Sequence, residues 1–183
     1  MNKADMRRLL RARFEGADAR AIQSRRICDH IKACAWYQQA GVIGAYIPMG
    51  HEADVSPVLQ DALAAGKKLA LPRCGQAPEM SFCLVEHLEE LCLGAYGLLE
   101  PDDDADIVSA EEIDLLLVPL EGIDRKGFRL GKGGGYYDRF LKEWSGMSMG
   151  CALSWQWVDA VPREPWDVQL RSCADAEGIQ CFL

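Results

Sequence analysis

The chain has 183 residues, 49% of them hydrophobic and 26% charged, with a formal net charge of −8. That length supports one domain, residues 1–183, with a substantial core, and the composition is that of a globular protein. No apolar run reaches the length of a membrane span, and the acidic balance speaks against a broad nucleic-acid-binding face, though not against a small phosphorylated ligand in one basic pocket. The eight cysteines include no C-x-x-C and no zinc-site spacing, and no signal peptide is visible, so they read as reduced thiols of a cytoplasmic protein. His30, His51 and His87 are scattered and form no metal motif.

Residues 2–15 read as a helix with Lys3, Arg7 and Arg11 four apart on one face. By spacing alone this is a solvated basic face. Asp5 and Glu15 interrupt the basic run and serine is absent, which speaks against a transit peptide. Asp18 offers a cap for a second helix, whose inner face is Ile27, Ile31, Cys34 and Ala35. Residues 42–47 are a short buried strand, followed by a polar turn over 48–54 that carries Glu52 and Asp54. Ser56-Pro57 opens a helix that Gly66 closes, and residues 68–71 form the next strand, ended by Pro72. This is a parallel βαβ unit, and ligands of such sheets sit beyond the carboxyl ends of strands. Glu52 and Asp54 fall near that edge, as binding residues or as solvated loop acids.

Residues 80–85 read as a strand and 86–90 as a short helix or turn. Residues 102–106 are an acidic loop without the ligand spacing of a calcium site. Residues 113–120 are the most apolar segment and read as a central strand buried on both faces. The stretch 124–140 then sets five cations (Arg125, Lys126, Arg129, Lys132 and Arg139) against two acids, Asp124 and Asp138. Within it lie Gly131, Gly133, Gly134 and Gly135. Glycines let backbone N–H groups close around an anion, and a following helix adds its own N-terminus. The spacing is neither a P-loop nor a dinucleotide fingerprint. It reads as a phosphate cradle, with a plain strand-to-helix turn as the alternative. Tyr137, Phe140, Leu141 and Trp144 give the next helix its apolar face. Residues 149–153 are a further strand, 154–159 a short helix, and the tail from Val161 shows little periodicity. The order of elements predicts a three-layer α/β/α protein on a mostly parallel sheet.

Arg129-Leu-Gly-Lys-Gly-Gly-Gly-Tyr-Tyr-Asp138, preceded by Asp124-x-x-Gly127, closely resembles the signature of the 5-formyltetrahydrofolate cyclo-ligases, also called 5,10-methenyltetrahydrofolate synthetases. Lys3-x-x-x-Arg7, Tyr46-Ile-Pro48 with Glu52, Gly97-x-x-Glu100-Pro101 and Trp166-Asp167 fall in the family's order along nearly the whole chain. Ile123 stands where the family usually has phenylalanine, and the tail around residues 170–175 lacks its customary threonine.

The resemblance implies ATP- and Mg2+-dependent closure of 5-formyltetrahydrofolate to 5,10-methenyltetrahydrofolate by a monomer that binds neither nucleic acid nor membrane. It implies that Lys3, Arg7, Arg129 and Lys132 meet ATP phosphates, aided by backbone N–H groups of Gly131, Gly133, Gly134 and Gly135. Asp138 and Asp167 would be the magnesium acids. Ile47, Met49, Glu52 and Tyr96 would hold the folate. Tyr136 and Tyr137 would lie between the two substrates, with Arg129, Lys132 and Tyr137 nearest the chemistry. Two alternatives are a paralogue using the same ATP site on another formamide-like metabolite, and a non-enzymatic folate or nucleotide-binding regulator.

Overall fold

The computed structural model describes residues 1–74, 80–94 and 97–182. In chain order the helices and strands are α1 (Lys3–Ala12), α2 (Ala17–Ala33), α3 (Ala35–Gln39), β1 (Val42–Gly44), α4 (Ser56–Ala64), β2 (Lys68–Cys74) and β3 (Met80–Val85). Then come β4 (Cys92–Leu93), β5 (Leu99–Glu100), β6 (Ile107–Val108), β7 (Leu115–Val118), β8 (Gly122–Asp124), β9 (Arg129–Leu130) and α5 (Tyr136–Glu143). The chain ends with β10 (Met147–Cys151), β11 (Trp157–Val158), β12 (Ser172–Asp175) and β13 (Gly178–Cys181).

The central sheet runs β13-β12-β10-β7-β1-β2-β3-β6. β12, β10, β7, β1 and β2 are mutually parallel, while β13 at one end and β3 and β6 at the other are joined on by antiparallel pairing. This is the predicted mostly parallel sheet. Strand pleating sends alternate residues to opposite faces. Leu115 and Leu117 of β7 therefore join Ile43, Leu69 and Met149 against α2, α3 and α4. Leu116 and Val118 join Ala70 and Phe82 against Leu141 of α5 and Trp144. All four β7 residues are buried, as a strand covered on both faces must be. A third, smaller cluster docks α1: Met6 and Leu10 pack on Leu130 and Val161. Burying such side chains contributes about 1.5–3 kcal/mol each, enough to fix a ten-residue helix that would not be stable alone.

Several boundaries differ from expectation for local reasons. Gly16, at φ +103°, caps α2, and Asp18 lies in its first turn instead. Val55 occupies the N-cap position of α4, and the Asp54 carboxylate takes the Ser56 N–H at 3.0 Å. β1 stops at Gly44, three residues short of the predicted strand end. Pro72 lies inside β2 rather than ending it. Ala70 O accepts from Ala45 N, so Pro72, two residues on, turns its ring nitrogen to the side where β1 has already ended. Residues 154–156 form a single 3-10 turn, and Trp157–Val158 is strand, not helix.

The largest departure precedes the glycines. A β8–β9 hairpin stands between the central strand and the glycine loop. Its turn is set by Asp124, whose Oδ1 accepts from Lys126 N (2.9 Å) and Phe128 N (3.1 Å), and by Gly127 at φ +81°. Asp124 Oδ2 accepts from Val161 N at 3.1 Å, so this buried carboxylate is structural. The tail also holds more order than its sequence pattern suggests, since β12 and β13 form a hairpin on the sheet edge.

Candidate active site

β1 has β2 on one side and β7 on the other, so the connections leaving β1 and β7 diverge at the carboxyl ends of the strands. Open α/β sheets place their ligand crevice at this kind of switch point. Here a cavity of about 970 Å³ opens there, lined by Tyr46 and Ile47 beyond β1, Pro72 and Cys74 of β2, and Pro119 and Leu120 beyond β7. The glycine loop, the start of α5, Lys3 and Arg7 of α1, and the segment around Asp167 complete it. Every site residue expected from the sequence lines this cavity, except Tyr96, which lies outside the described residues.

The loop from Gly131 to Gly135 depends on two of its glycines for its backbone course. Gly133 has φ +110° and Gly135, the N-cap of α5, has φ +68°, conformations an L side chain rarely adopts. A Cβ on Gly135 would also meet Arg139 Nη1 at 2.9 Å. Arg7 Nε donates to Gly131 O at 2.7 Å, which ties α1 to the loop. Tyr136, Tyr137 and Asp138 form the first turn of α5, whose N-terminus faces the cavity and favours an anion.

Arg129 is 5% exposed, and burial lowers its pKa despite Asp138 nearby. Its Nη1 stands 3.0 Å from Asp138 Oδ1 but is not aligned for a hydrogen bond, and both Nε and Nη1 are buried without a hydrogen-bond partner. The Tyr137 hydroxyl is likewise buried and unpartnered, and burial holds it far above the ordinary phenol range. Buried polar groups are almost always satisfied. Two such groups on one cavity wall point to a ligand that supplies acceptors there.

Glu52 is 4% exposed. Its Oε2 accepts from Met49 N (2.9 Å) and its Oε1 pairs with Lys132 Nζ (2.9 Å). Burial raises its pKa, and Lys132 opposes the rise. Lys132 thus bridges the glycine loop to the Glu52 turn, while Asp54 lies outside the cavity lining and holds the Ser56 N–H at the start of α4. Lys3 Nζ contacts both Asp167 oxygens at 2.7 Å and Glu164 at 3.1 Å. Burial disfavours its charge, but these bonds outweigh that and the net shift is upward. Asp138 Oδ1 accepts from Val168 N at 3.3 Å, which draws the two aspartate segments together.

Charge in the cavity is nearly balanced, unlike the local sequence around the glycines. Six cations (Lys3, Arg7, Arg129, Lys132, Arg139 and Lys142) face five acids (Glu52, Glu100, Asp138, Glu164 and Asp167). Among the described residues no three acidic, histidine or cysteine side chains gather as a metal cluster. Magnesium usually takes one or two carboxylates plus phosphate and water oxygens. Asp138 and Asp167 fit that donor set when a phosphate chain lies beside them. Glu164 and Trp166 escaped the sequence reading as site residues, although the Trp166-Asp167 pair flagged their segment.

The model of the 5-formyltetrahydrofolate cyclo-ligase family matches residues 2–174. The 5-formyltetrahydrofolate cyclo-ligase of Escherichia coli strain K12 is 31% identical over 137 residues, covering 72% of this chain and 75% of its own. That of Haemophilus influenzae is 31% identical over 139 residues, covering 73% and 74%. The NMR structure of Aquifex aeolicus 5,10-methenyltetrahydrofolate synthetase superposes with a TM-score of 0.86 at 29% identity, over 99% of this chain and 93% of that one. The Mycoplasma pneumoniae 5,10-methenyltetrahydrofolate synthetase matches with a TM-score of 0.77 at 22% identity, over 96% and 99%, a likeness of fold. With its signature residues gathered on one cavity and these relatives spanning most of its length, the chain belongs to the 5-formyltetrahydrofolate cyclo-ligase family.

Proposed function

We propose that the protein is an ATP- and magnesium-dependent 5-formyltetrahydrofolate cyclo-ligase, and that residues 1–183 work as one monomeric domain. One observation carries the reading: a single cavity joins the buried Arg129 guanidinium, two of whose nitrogens lack a hydrogen bond, and the glycine loop to the buried Glu52 carboxylate. Two different substrates can then meet end to end. The eight cysteines are free thiols, which suits the reducing cytoplasm.

The formyl oxygen is a poor leaving group. Transfer of the γ-phosphoryl group to it releases ADP and leaves an iminium phosphate. N10 of the folate then attacks the formyl carbon, the carbon–oxygen bond breaks, phosphate departs and N10 loses its proton. Such chemistry asks the protein mainly for positioning and charge neutralisation. Arg129, Lys3, Arg7 and Lys132 hold the phosphates, with the N–H groups of Gly131, Gly133, Gly134 and Gly135. Burial keeps Tyr137 protonated, so its hydroxyl donates to the oxygen passing between the substrates. Glu52 accepts from pterin N–H groups, while Ile47, Met49 and Tyr136 pack on the folate. Asp138 and Asp167 hold magnesium, which neutralises charge on the phosphate chain when bound.

Mixing the protein with 5-formyltetrahydrofolate, ATP and magnesium is expected to produce methenyltetrahydrofolate absorbance. Omitting ATP or chelating the metal is expected to abolish it. A flat trace from folded protein with all components present would reject the assignment.

A further inference from the structure

Gln156 is 2% exposed and uses three of its hydrogen-bonding positions on backbone. Its Oε1 accepts from Leu153 N at 2.8 Å, and its Nε2 donates to Leu120 O at 3.0 Å and His51 O at 3.3 Å. These three partners lie just past the carboxyl ends of β10, β7 and β1, which are neighbours in the sheet. One carboxamide therefore ties together three connections, of which those leaving β1 and β7 line the cavity. His51 directly precedes Glu52, and Leu120 lines the cavity wall. The next carbonyl is held as well, because Arg20 Nε of α2 donates to Glu52 O at 2.7 Å. Glu52 is thus gripped from behind through two successive carbonyls, while its carboxylate faces Met49 N and Lys132.

We infer that Gln156, seconded by Arg20, is a positioning residue for folate recognition: it fixes the Glu52 turn against the β7 exit and so sets where the pterin sits. The inference rests on the folate reading above. Gln156 does not line the cavity, and its two donor hydrogens are spent on carbonyls. Removing them leaves the buried Leu120 carbonyl and the partly buried His51 carbonyl unsatisfied, which the turn relieves by moving toward solvent. The glycine loop hangs from β9, and Gln156 makes no hydrogen bond to it. The turn touches the ATP side through the Glu52–Lys132 pair, whose long, 43% exposed lysine side chain can follow a shifted carboxylate, so the ATP side is disturbed far less.

The test is steady-state kinetics of Gln156→Met, close in size but without donors. The folate KM is expected to rise about tenfold or more, since small misplacements at a site have large effects. The ATP KM should stay within about twofold. Tyr37→Phe removes a 2.6 Å bond to Asp61 near the amino ends of β1 and β2, away from the cavity, and controls for general loosening. It should leave both constants unchanged. Arg20→Met should shift the folate KM in the same direction, and Arg20→Lys, which keeps a donor, should restore it. An unchanged folate KM in Gln156→Met, or folate and ATP constants moving together, overturns the positioning role. If Gln156→Met does not fold, the half-buried Arg20 pair decides by the same criterion. Absence of turnover in the unsubstituted protein would reject the folate reading itself, a separate result from an unmoved KM.

Discussion

Replacing Arg129 with methionine is expected to lower turnover by about a thousandfold while leaving the protein folded. That loss corresponds to about 4 kcal/mol of transition-state stabilisation. The magnitude follows from where the guanidinium sits. It is 5% exposed, has two nitrogens without hydrogen-bond partners, and stands in a water-poor wall where a phosphoryl group would develop charge. A cation preorganised in such a place needs no reorganisation during the reaction. The fold is expected to tolerate the change because the desolvated charge is itself a burden, and burial already depresses the Arg129 pKa. Asp138 loses an ion pair but keeps the Val168 N–H, and its side chain is 22% exposed and open to water. Arg129→Lys keeps the charge without the fork and should recover part of the rate. Turnover measured beside a thermal melt separates the outcomes. Activity near the unsubstituted level, or loss of activity through unfolding alone, would remove Arg129 from the phosphate site.

Glu52→Gln is expected to move activity and stability in opposite directions. A hydrogen bond to a charged partner is worth about 1.5–3 kcal/mol, so the folate kcat/KM should fall about ten- to hundredfold. Stability behaves otherwise. Burial raises the Glu52 pKa above its usual 4.5, with Lys132 only partly compensating. A carboxyl with a raised folded-state pKa stabilises most below its unfolded pKa, and that contribution is lost as pH rises through the folded value. At neutral pH the ionised Glu52 is therefore a burden on the fold. Glutamine relieves it, and Lys132, 43% exposed, can rehydrate. The Tm of Glu52→Gln should exceed that of the unsubstituted protein at pH 7–8, and the gap should shrink toward pH 4.5. A Tm deficit that persists at neutral pH would show that the Lys132 pair outweighs desolvation.

Much of this architecture can be read from residue patterns because they have one physical outlet. A segment as apolar as 113–120 has to be central, and β7 is. Lys3, Arg7 and Arg11 at helical spacing look like a solvated face until Met6 and Leu10 are seen to dock the helix. The three cations then reach Asp167, Gly131 O and Glu121. Of the paired loop acids, spacing does not tell Glu52, turned inward, from Asp54, which holds the Ser56 N–H before α4. Asp124 and Gly127, an Asx turn followed by a positive φ, mark the β8–β9 hairpin locally, but five cations in the same stretch give it the composition of an anion-binding loop. Gln156 could not be found by pattern. Its role depends on three carbonyl and amide groups brought together only by the parallel sheet. Charge balance in the cavity is also tertiary, because Glu100, Glu164 and Asp167 come from other segments.

In the proposed mechanism a phosphoryl group passes to the formyl oxygen inside one cavity. Substrate carrying 18O in the formyl group tests this most directly. The label is predicted to leave in the released inorganic phosphate, one atom for each methenyltetrahydrofolate formed. Unlabelled phosphate, with the 18O recovered in water, would contradict it.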